Sequence, residues 1–327
     1  MKSTRAIAEL ALGLVALGSS PLAAQEQIGR RVFSDTLVIS EPFVEDELSL
    51  PSILHIRRPR AGDQPRTLAT VVDAEIKKRL TPNLELSVAG TWDRLAPDRG
   101  AQRTAFDNLD IGLKYQFFRS DAHEAVASVA LEWEVGGTGS RAVGAESFHT
   151  LSPTLLFGRG LGDLPDGLAA LRPVAVSGAL GGILPIGPAV ARGATIEGNT
   201  ALVPGKESQP HAVTWGLVLE YSLSYLKTNV RDIGLPAPLS QLVPLIEFDF
   251  QTPVDRESAG KTTGTINPGI VWVGSTVQVG IEAVIPANDR TGVNVGVRAF
   301  VRFALDEILG GHLGQPVFSH HRGESSP

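Results

Sequence analysis

Apolar and polar residues alternate with a period of two along most of this chain. In "LTPNLELSVAGTW", residues 80–92, every second position from Leu84 to Trp92 is apolar or glycine, while the intervening face begins with Glu85. Such alternation is typical of a β-strand that buries one face. Residues 69–80 alternate in the same way, so Thr81-Pro82-Asn83 is predicted to be a hairpin turn.

The same pattern recurs often enough to predict about twelve strands. The predicted strands are 48–58, 69–80, 84–92, 108–117, 128–135, 151–157, 174–182, 213–221, 244–250, 266–272, 277–285 and 293–303. An even number of antiparallel strands fits a single-chain bacterial barrel with both termini in the periplasm. The predicted fold class is therefore all-β, an antiparallel transmembrane β-barrel. A soluble β-sandwich is the alternative, because its apolar faces would meet in a shared core.

The connections between the predicted strands favour the barrel. If the turn at 81–83 is periplasmic, the outer connections are 93–106, 136–148, 183–212, 252–264 and 286–292, and these are mostly the long ones. Short inner turns and long outer loops are usual in outer-membrane barrels. Two inner connections, 159–173 and 222–240, do not follow this rule, and the first is predicted to contain a short helix at 168–171.

Aromatic residues cluster at the two ends of the predicted strands. Amphipathic rings prefer the headgroup level of a membrane, so this placement predicts two interfacial girdles. The predicted girdle residues are Trp92, Trp133 and Trp215 at the outer ends and Tyr115, Phe117, Phe157, Tyr221, Trp272 and Phe303 at the inner ends.

Composition excludes several classes of protein. With 43% hydrophobic residues and a mean hydropathy of +0.07, the chain is too polar for a bundle of membrane helices. The absence of cysteine excludes disulfides, thiolate catalysis and cysteine zinc sites. A formal charge of −6 argues against a nucleic-acid partner.

The first residues predict export. Lys2 and Arg5 precede an apolar run, and Pro21-Leu22-Ala23-Ala24 resembles a signal-peptidase site. The predicted organisation is a signal peptide at 1–24, a periplasmic leader or plug at 25–47, the barrel at 48–303 and a polar tail at 304–327. The tail is predicted to be either an appendage or a last element ending at Phe318.

The polar face of the predicted strands carries many ionisable groups. Unpaired charges are costly in a dry core, so the lumen should be wet or crossed by ion pairs. Either it is an open or gated path biased by these charges, or acids and bases pair across it and close it. The predicted lumen residues are Asp73, Glu75, Lys77, Arg79, Glu85, Asp110, Lys114, Glu132, Glu134, Glu220, Glu247, Asp249, Glu282, Arg298 and Arg302.

An acidic cluster precedes the first predicted strand. Glu41, Glu45, Asp46 and Glu47 lie within seven residues of one another in "EPFVEDE". One interpretation is a plug whose carboxylates meet lumen arginines, because polar barrel lumens can be filled by chain segments. The other is a solvated periplasmic leader.

No catalytic signature is present, and we predict that the protein is not an enzyme. His149 and His211 lie near outer strand ends beside acidic or hydroxyl residues, which leaves a barrel hydrolase as a minor alternative. Arg57, Arg58 and Arg60 are predicted near the outer rim, where they either lie in a solvated loop or bind lipopolysaccharide phosphates.

Three segments resemble a known family. "EPFVEDELSLPSILHIRRPR", "NLDIGLKYQFF" at 108–118 and "EWEVGGTGSRAVGAESF" at 132–148 are similar to outer-membrane β-barrel transporters grouped with the meta-pathway phenol-degradation proteins. The resemblance spans about 41–308. It implies a barrel that passes small molecules, often hydrophobic or aromatic ones, and it supplies no catalytic residues.

The sequence thus predicts a channel or transporter in the bacterial outer membrane that works by passive diffusion and needs no cofactor. The predicted partners are outer-membrane lipid and lipopolysaccharide, the barrel-assembly machinery and a small-molecule solute. A structural or adhesive barrel with a sealed lumen is the alternative function.

Overall fold

Twelve antiparallel strands form a closed barrel, as the alternation predicts. The computed structural model describes residues 27–60, 65–186, 191–196, 199–206, 210–256, 258–310 and 314–318. The barrel strands are β1 Glu47–Arg58, β2 Thr67–Thr81, β3 Leu84–Pro97, β4 Arg103–Ser120, β5 Ala125–Val135, β6 His149–Gly160, β7 Val174–Ile186, β8 Ala212–Tyr221, β9 Leu242–Pro253, β10 Thr263–Val273, β11 Val277–Pro286 and β12 Gly296–Ala304.

Each strand pairs with its neighbours in the chain, and β12 closes the sheet by pairing with β1. Closure leaves no unpaired strand edge, which a barrel in hydrocarbon requires. The register keeps the two faces separate around the whole sheet. Arg79 on β2 lies opposite Glu85 on β3, for example, and Glu85 lies opposite Lys114 on β4, so all three belong to the lumen face.

Several strands are longer than the sequence pattern predicts. β3 continues to Pro97 and β4 begins at Arg103, so the predicted outer connection 93–106 shrinks to 98–102. The ladder continues beyond the apolar band, where side-chain alternation weakens but backbone hydrogen bonds still form. At the same end of the barrel, β12 is shorter than predicted, because it begins at Gly296 rather than at residue 293.

The remaining elements are short. Residues Gln27–Ile28 pair with Arg31–Val32, and Ala191–Ile196 pair with Asn199–Lys206 in an outer hairpin. A 3-10 helix covers Asp166–Leu171, in agreement with the short helix predicted there. Other helical turns are Leu223–Tyr225, Leu226–Val230, Ala237–Ser240 and Leu305–Leu309. None of the helices in the described ranges is long and apolar enough to cross a membrane.

The outer surface of the barrel is apolar. Mid-strand residues such as Leu86, Leu113, Leu131 and Leu180 are more than a third exposed although they are large and hydrophobic. A water-soluble protein would bury such side chains, so this surface is suited to lipid. The predicted girdle residues Trp133, Trp215, Tyr115, Phe117 and Phe157 are similarly exposed. Trp92, Tyr221, Trp272 and Phe303 are half-buried.

Candidate functional site in the barrel lumen

The periplasmic half of the lumen is filled by the chain that precedes β1. We call residues 27–46 the inner segment. Three of its backbone N–H groups donate to the Glu247 carboxylate on β9, from Leu37 at 2.6 Å and from Val38 and Ile39 at 3.0 Å each. A carboxylate that accepts several backbone N–H bonds satisfies donors that the irregular segment cannot pair with itself. Glu247 thus fixes the middle of the inner segment.

Further lumen residues hold the segment on other sides of the barrel. The Glu220 carboxylate on β8 accepts from the Ser34 hydroxyl at 2.6 Å. On β3, Glu85 accepts from the backbone N–H of Glu45 at 2.9 Å. Lys114 Nζ on β4 donates to the Phe43 carbonyl at 2.8 Å. With Glu247 on β9, these contacts come from two pairs of strands on opposite sides of the barrel, so the segment lies within the barrel rather than below it.

Lys77 on β2 binds three carboxylates of the acidic cluster. Its Nζ lies 2.9 Å from Glu47, 3.1 Å from Glu45 and 3.6 Å from Glu41, and all four side chains are buried. A buried ammonium is stable only when carboxylates compensate for its lost hydration. Lys77 therefore binds the end of the inner segment to the barrel wall through ion pairs.

Arg302 on β12, two strands away from Lys77 on β2, extends this network. Its guanidinium lies 2.6 Å from Glu41 and 3.1 Å from Asp35. Burial alone would raise the pKa of Glu41, but Arg302 and Lys77 outweigh it and hold that pKa well below its ordinary value. Burial and the neighbouring Glu47 instead raise the pKa of Glu45 to about 8, against the influence of Lys77. In this network, four carboxyl groups, Asp35, Glu41, Glu45 and Glu47, surround two bases.

The last residue of the inner segment also contacts the tail region. Asp46 accepts from Lys78 Nζ at 2.9 Å and pairs with Arg79 at 3.0 Å. Arg79 also donates to the carbonyl of Gly314, and the backbone N–H of Phe318 donates to Leu80 at 2.8 Å. Residues 314–318 thus return to the first periplasmic turn.

Sequence reasoning missed the anchor at the start of the segment. Arg31 is completely buried, pairs with Glu124 at 2.9 Å and donates to the carbonyl of Pro173 at 2.9 Å. Its guanidinium also lies 4.4 Å from the ring centroid of Tyr225. All these partners lie in periplasmic connections far away in sequence, so no local pattern could have indicated the role of Arg31.

Apolar packing complements the polar anchors. Ile39 packs in a buried cluster with Val218 on β8 and Phe300 on β12. Gly216 leaves the space that Ile39 occupies, because a Cβ at residue 216 would overlap the Ile39 side chain. At the other side of the segment, Phe33 packs on Phe43 with ring centroids 5.2 Å apart.

The connection between β5 and β6 folds towards the lumen from the other end. We call residues 136–148 the outer loop. Asn108 on β4 is buried and binds this loop twice, since its Oδ1 accepts from Gly139 N–H at 2.9 Å and its Nδ2 donates to the Glu146 carbonyl at 2.9 Å. Val143 from the loop packs on the lumen residues Ala69 and Leu95.

An acid-lined space lies beside the outer loop. This acidic chamber, of about 350 Å³, has carboxyl groups from β4, β5 and the loop, namely Asp107, Asp110, Glu132, Glu134 and Glu146. A smaller cavity of about 190 Å³ adjoins the inner segment and is lined partly by Glu75, Lys77 and Glu132.

The other predicted lumen residues lie on the same inner face. Asp73 accepts from Thr91 at 2.7 Å, and Glu282 on β11 pairs with Arg298 on β12 at 3.1 Å. Arg298 also donates to the Leu37 carbonyl at 3.4 Å, whereas Asp249 follows Glu247 by two positions on β9.

The two histidines considered for catalysis hold outer connections in place. His211 lies 2.8 Å from Asp255, and the hydrogen bond from the imidazole lowers the pKa of that carboxyl group. His149 Nδ1 accepts from the backbone N–H of Gly136 at 3.1 Å. These contacts join the ends of strands, and they give both imidazole rings a structural role.

Neither a protein-family model nor a curated protein matches the chain. Solved structures match its fold. An outer membrane channel from Pseudomonas putida F1 has a TM-score of 0.55 and 10% identity, over 81% of this chain and 97% of that one. The beta domain of the Bordetella autotransporter BrkA has a TM-score of 0.48 and 11% identity, over 79% and 98%. The KdgM porin has a TM-score of 0.44 and 10% identity, over 78% and 98%.

The closed barrel, its apolar outer surface and its charged lumen define a transmembrane β-barrel of the bacterial outer membrane. The likeness to the Pseudomonas channel supports this fold at low sequence identity. Membership of the family grouped with the phenol-degradation proteins stays a prediction.

Proposed function

We propose that the protein is an outer-membrane channel for small molecules and that the inner segment is its gate. The observation that carries this proposal is the inner segment itself, which occupies the lumen but is not a strand of the barrel. Removing it would leave the twelve-stranded ladder intact. Its space would become a path lined by charged groups that water can solvate.

The type of anchoring also supports a gate. Most of the contacts are hydrogen bonds and ion pairs, such as those of Glu247 and Lys77, and water can replace these when the segment leaves. The Pseudomonas barrel with the same fold is described as an outer membrane channel, which favours the same class of function here. Transport would be passive diffusion without a cofactor.

The solute class is proposed on the sequence resemblance. Small molecules with hydrophobic or aromatic parts are the expected solutes, and the apolar residues of the outer mouth, Ile56, Leu95 and Val143, would suit them.

A sealed structural barrel is the second candidate, and the number of contacts that hold the inner segment favours it. If these contacts never break, the lumen conducts nothing. The two candidates differ in one measurable property, which is whether conductance depends on movement of residues 27–46.

A reversible covalent lock can measure this dependence. A Cβ built at Gly158 on β6 lies 3.3 Å from Cγ of Pro42 in the inner segment, so Cys residues at 42 and 158 are near disulfide distance. The chain has no native cysteine to compete. We expect the Pro42→Cys/Gly158→Cys variant to be nearly silent in planar bilayers when oxidised and to recover wild-type conductance when reduced.

A bulky substitution tests the reverse effect, because it should push the inner segment out of the lumen instead of holding it there. Gly216→Leu should displace Ile39 and raise the open probability, whereas Gly90→Leu, at a position with nothing within 4 Å, should have no effect. Equal conductance of the oxidised and reduced cysteine variant would refute the gate. Silence of every variant, with each barrel folded, would favour the sealed structural barrel.

A further inference from the structure

We propose that the outer mouth of the barrel is a binding site for a small organic carboxylate with an apolar body. The mouth contains a cavity of about 700 Å³, which we call the vestibule. Four arginines line it, Arg58 from β1, Arg103 from β4, Arg141 from the outer loop and Arg290 from the connection before β12. This inference deepens the proposed channel function, since the vestibule would be the first site that an entering solute meets.

The vestibule arginines differ from other arginines of the barrel. Within the described part of the chain, none of the four guanidinium groups donates a hydrogen bond or lies within 4 Å of a carboxylate. Arg57, the neighbour of Arg58 in sequence, instead pairs with Asp98 at 3.0 Å and does not line the vestibule. Among the described lining residues these four positive charges face one carboxyl group, that of Glu146, so the cavity has an excess of positive charge that attracts an anion.

The floor of the vestibule is apolar, so the site should favour a ligand that has an apolar body as well as a negative charge. Ile56, Leu95 and Val143 line it, and Val143 and Leu95 belong to a buried apolar cluster with Ala69. Guanidinium groups bind carboxylates through paired N–H donors, and an apolar body on the floor would bury further surface. Inorganic phosphate could use the arginines but not the floor.

The acidic chamber below the vestibule determines where the carboxylate group of the ligand is held. Gly144 and Glu146 of the outer loop line both cavities, so the two spaces adjoin. The carboxyl groups of the chamber, including Asp110 and Glu134, would repel an anion that moved deeper. The carboxylate is therefore held at the arginines, on the outer side of the loop.

Binding can be measured without conductance, so failure of this inference is separable from failure of the channel. The folded full-length protein in detergent micelles would be titrated by calorimetry with cyclohexanecarboxylate, cyclohexanecarboxamide and cyclohexylmethylamine, with empty micelles as the blank. We expect the carboxylate to bind saturably and the amide and amine to bind at least about tenfold more weakly.

Two matched variants locate the site. The double variant Arg58→Gln/Arg103→Gln should weaken carboxylate binding roughly tenfold, whereas Arg57→Gln should leave it unchanged. Equal binding of the amide, or equal loss with Arg57→Gln, would overturn the assignment. Inorganic phosphate that bound as tightly as cyclohexanecarboxylate would also overturn it, in favour of phosphate groups such as those of lipopolysaccharide.

Discussion

At the scale of single residues, Lys77 is the side chain on which the inserted inner segment most depends. Its ammonium group pairs with the buried carboxyl groups of Glu41, Glu45 and Glu47, and removing one partner of a buried ion pair costs about 3 kcal/mol or more. Lys77→Gln should therefore favour release of the segment by roughly 100-fold. The measurement is the rate of maleimide labelling at Val44→Cys, because residue 44 is buried in the inserted state.

The control for this prediction is Arg94→Gln. Arg94 is exposed and bonds only to Gln102 among the residues described, so its loss should leave the labelling rate unchanged. If Lys77→Gln also left the rate unchanged, the ion-pair network would not hold the segment in place.

Glu45 makes the position of the inner segment depend on pH. Its pKa is raised to about 8 in the inserted state, so insertion is stabilised by protonation of Glu45. That contribution is complete below the ordinary pKa of the group, 4.5, and is lost as pH rises through about 8. We expect labelling of Val44→Cys, corrected for thiol ionisation with an exposed cysteine, to accelerate between pH 5 and pH 8.

The variant Glu45→Gln provides the control. It cannot ionise, so it should show a nearly flat corrected labelling rate across the same range. Glu41 acts in the opposite sense, because its pKa is lowered in the inserted state. The stabilisation of the inserted segment by ionised Glu41 is therefore lost only in acid, as the pH falls below the ordinary pKa of a glutamate. A corrected rate that fell with rising pH in the parent protein would contradict this account of Glu45.

At the scale of elements, the strands were predictable and the elements inside the barrel were not. Alternation around Glu85 and Lys114 is local, and it revealed both the strands and their lumen face. The bond between Glu247 and the backbone of Leu37 joins residues 210 positions apart, and no period in the sequence encodes it. The plug interpretation of residues 25–47 came from the charges of the acidic cluster at 41–47, and charge could not locate the segment within the lumen.

The outer loop is the second element whose position depends on a few distant contacts. Asn108 is the central one, because it binds both Gly139 and Glu146, and loss of such a buried polar anchor costs about 1–3 kcal/mol. Asn108→Ala should therefore loosen the loop and accelerate trypsin cleavage at the exposed Arg141 by about tenfold. Gln102→Ala, at an exposed site on the same side, is the matched control, and equal cleavage of both variants would contradict the role of Asn108.

At the scale of the whole molecule, the barrel has reversed the usual distribution of side chains. Its outer surface is apolar, while buried ionisable groups such as Lys77, Glu247 and Glu282 lie inside with the inner segment. The sheet supplies a closed wall in which every barrel strand is paired on both sides. Movement can therefore be confined to the inner segment and the outer loop, which contact the wall through side chains.

This reversed distribution predicts how substitutions on the outside should depend on depth. Leu131 lies mid-strand on β5, whereas Phe106 lies towards the outer end of β4, and both are exposed. Leu131→Arg should destabilise the barrel in a bilayer by about 2–4 kcal/mol, and Phe106→Arg by at most about 1 kcal/mol. Urea unfolding of the protein in liposomes would measure both. In detergent, where no fixed hydrocarbon thickness exists, the difference between the two variants should shrink. An equal cost at both positions in the bilayer would mean that the apolar band does not face lipid as the structure indicates.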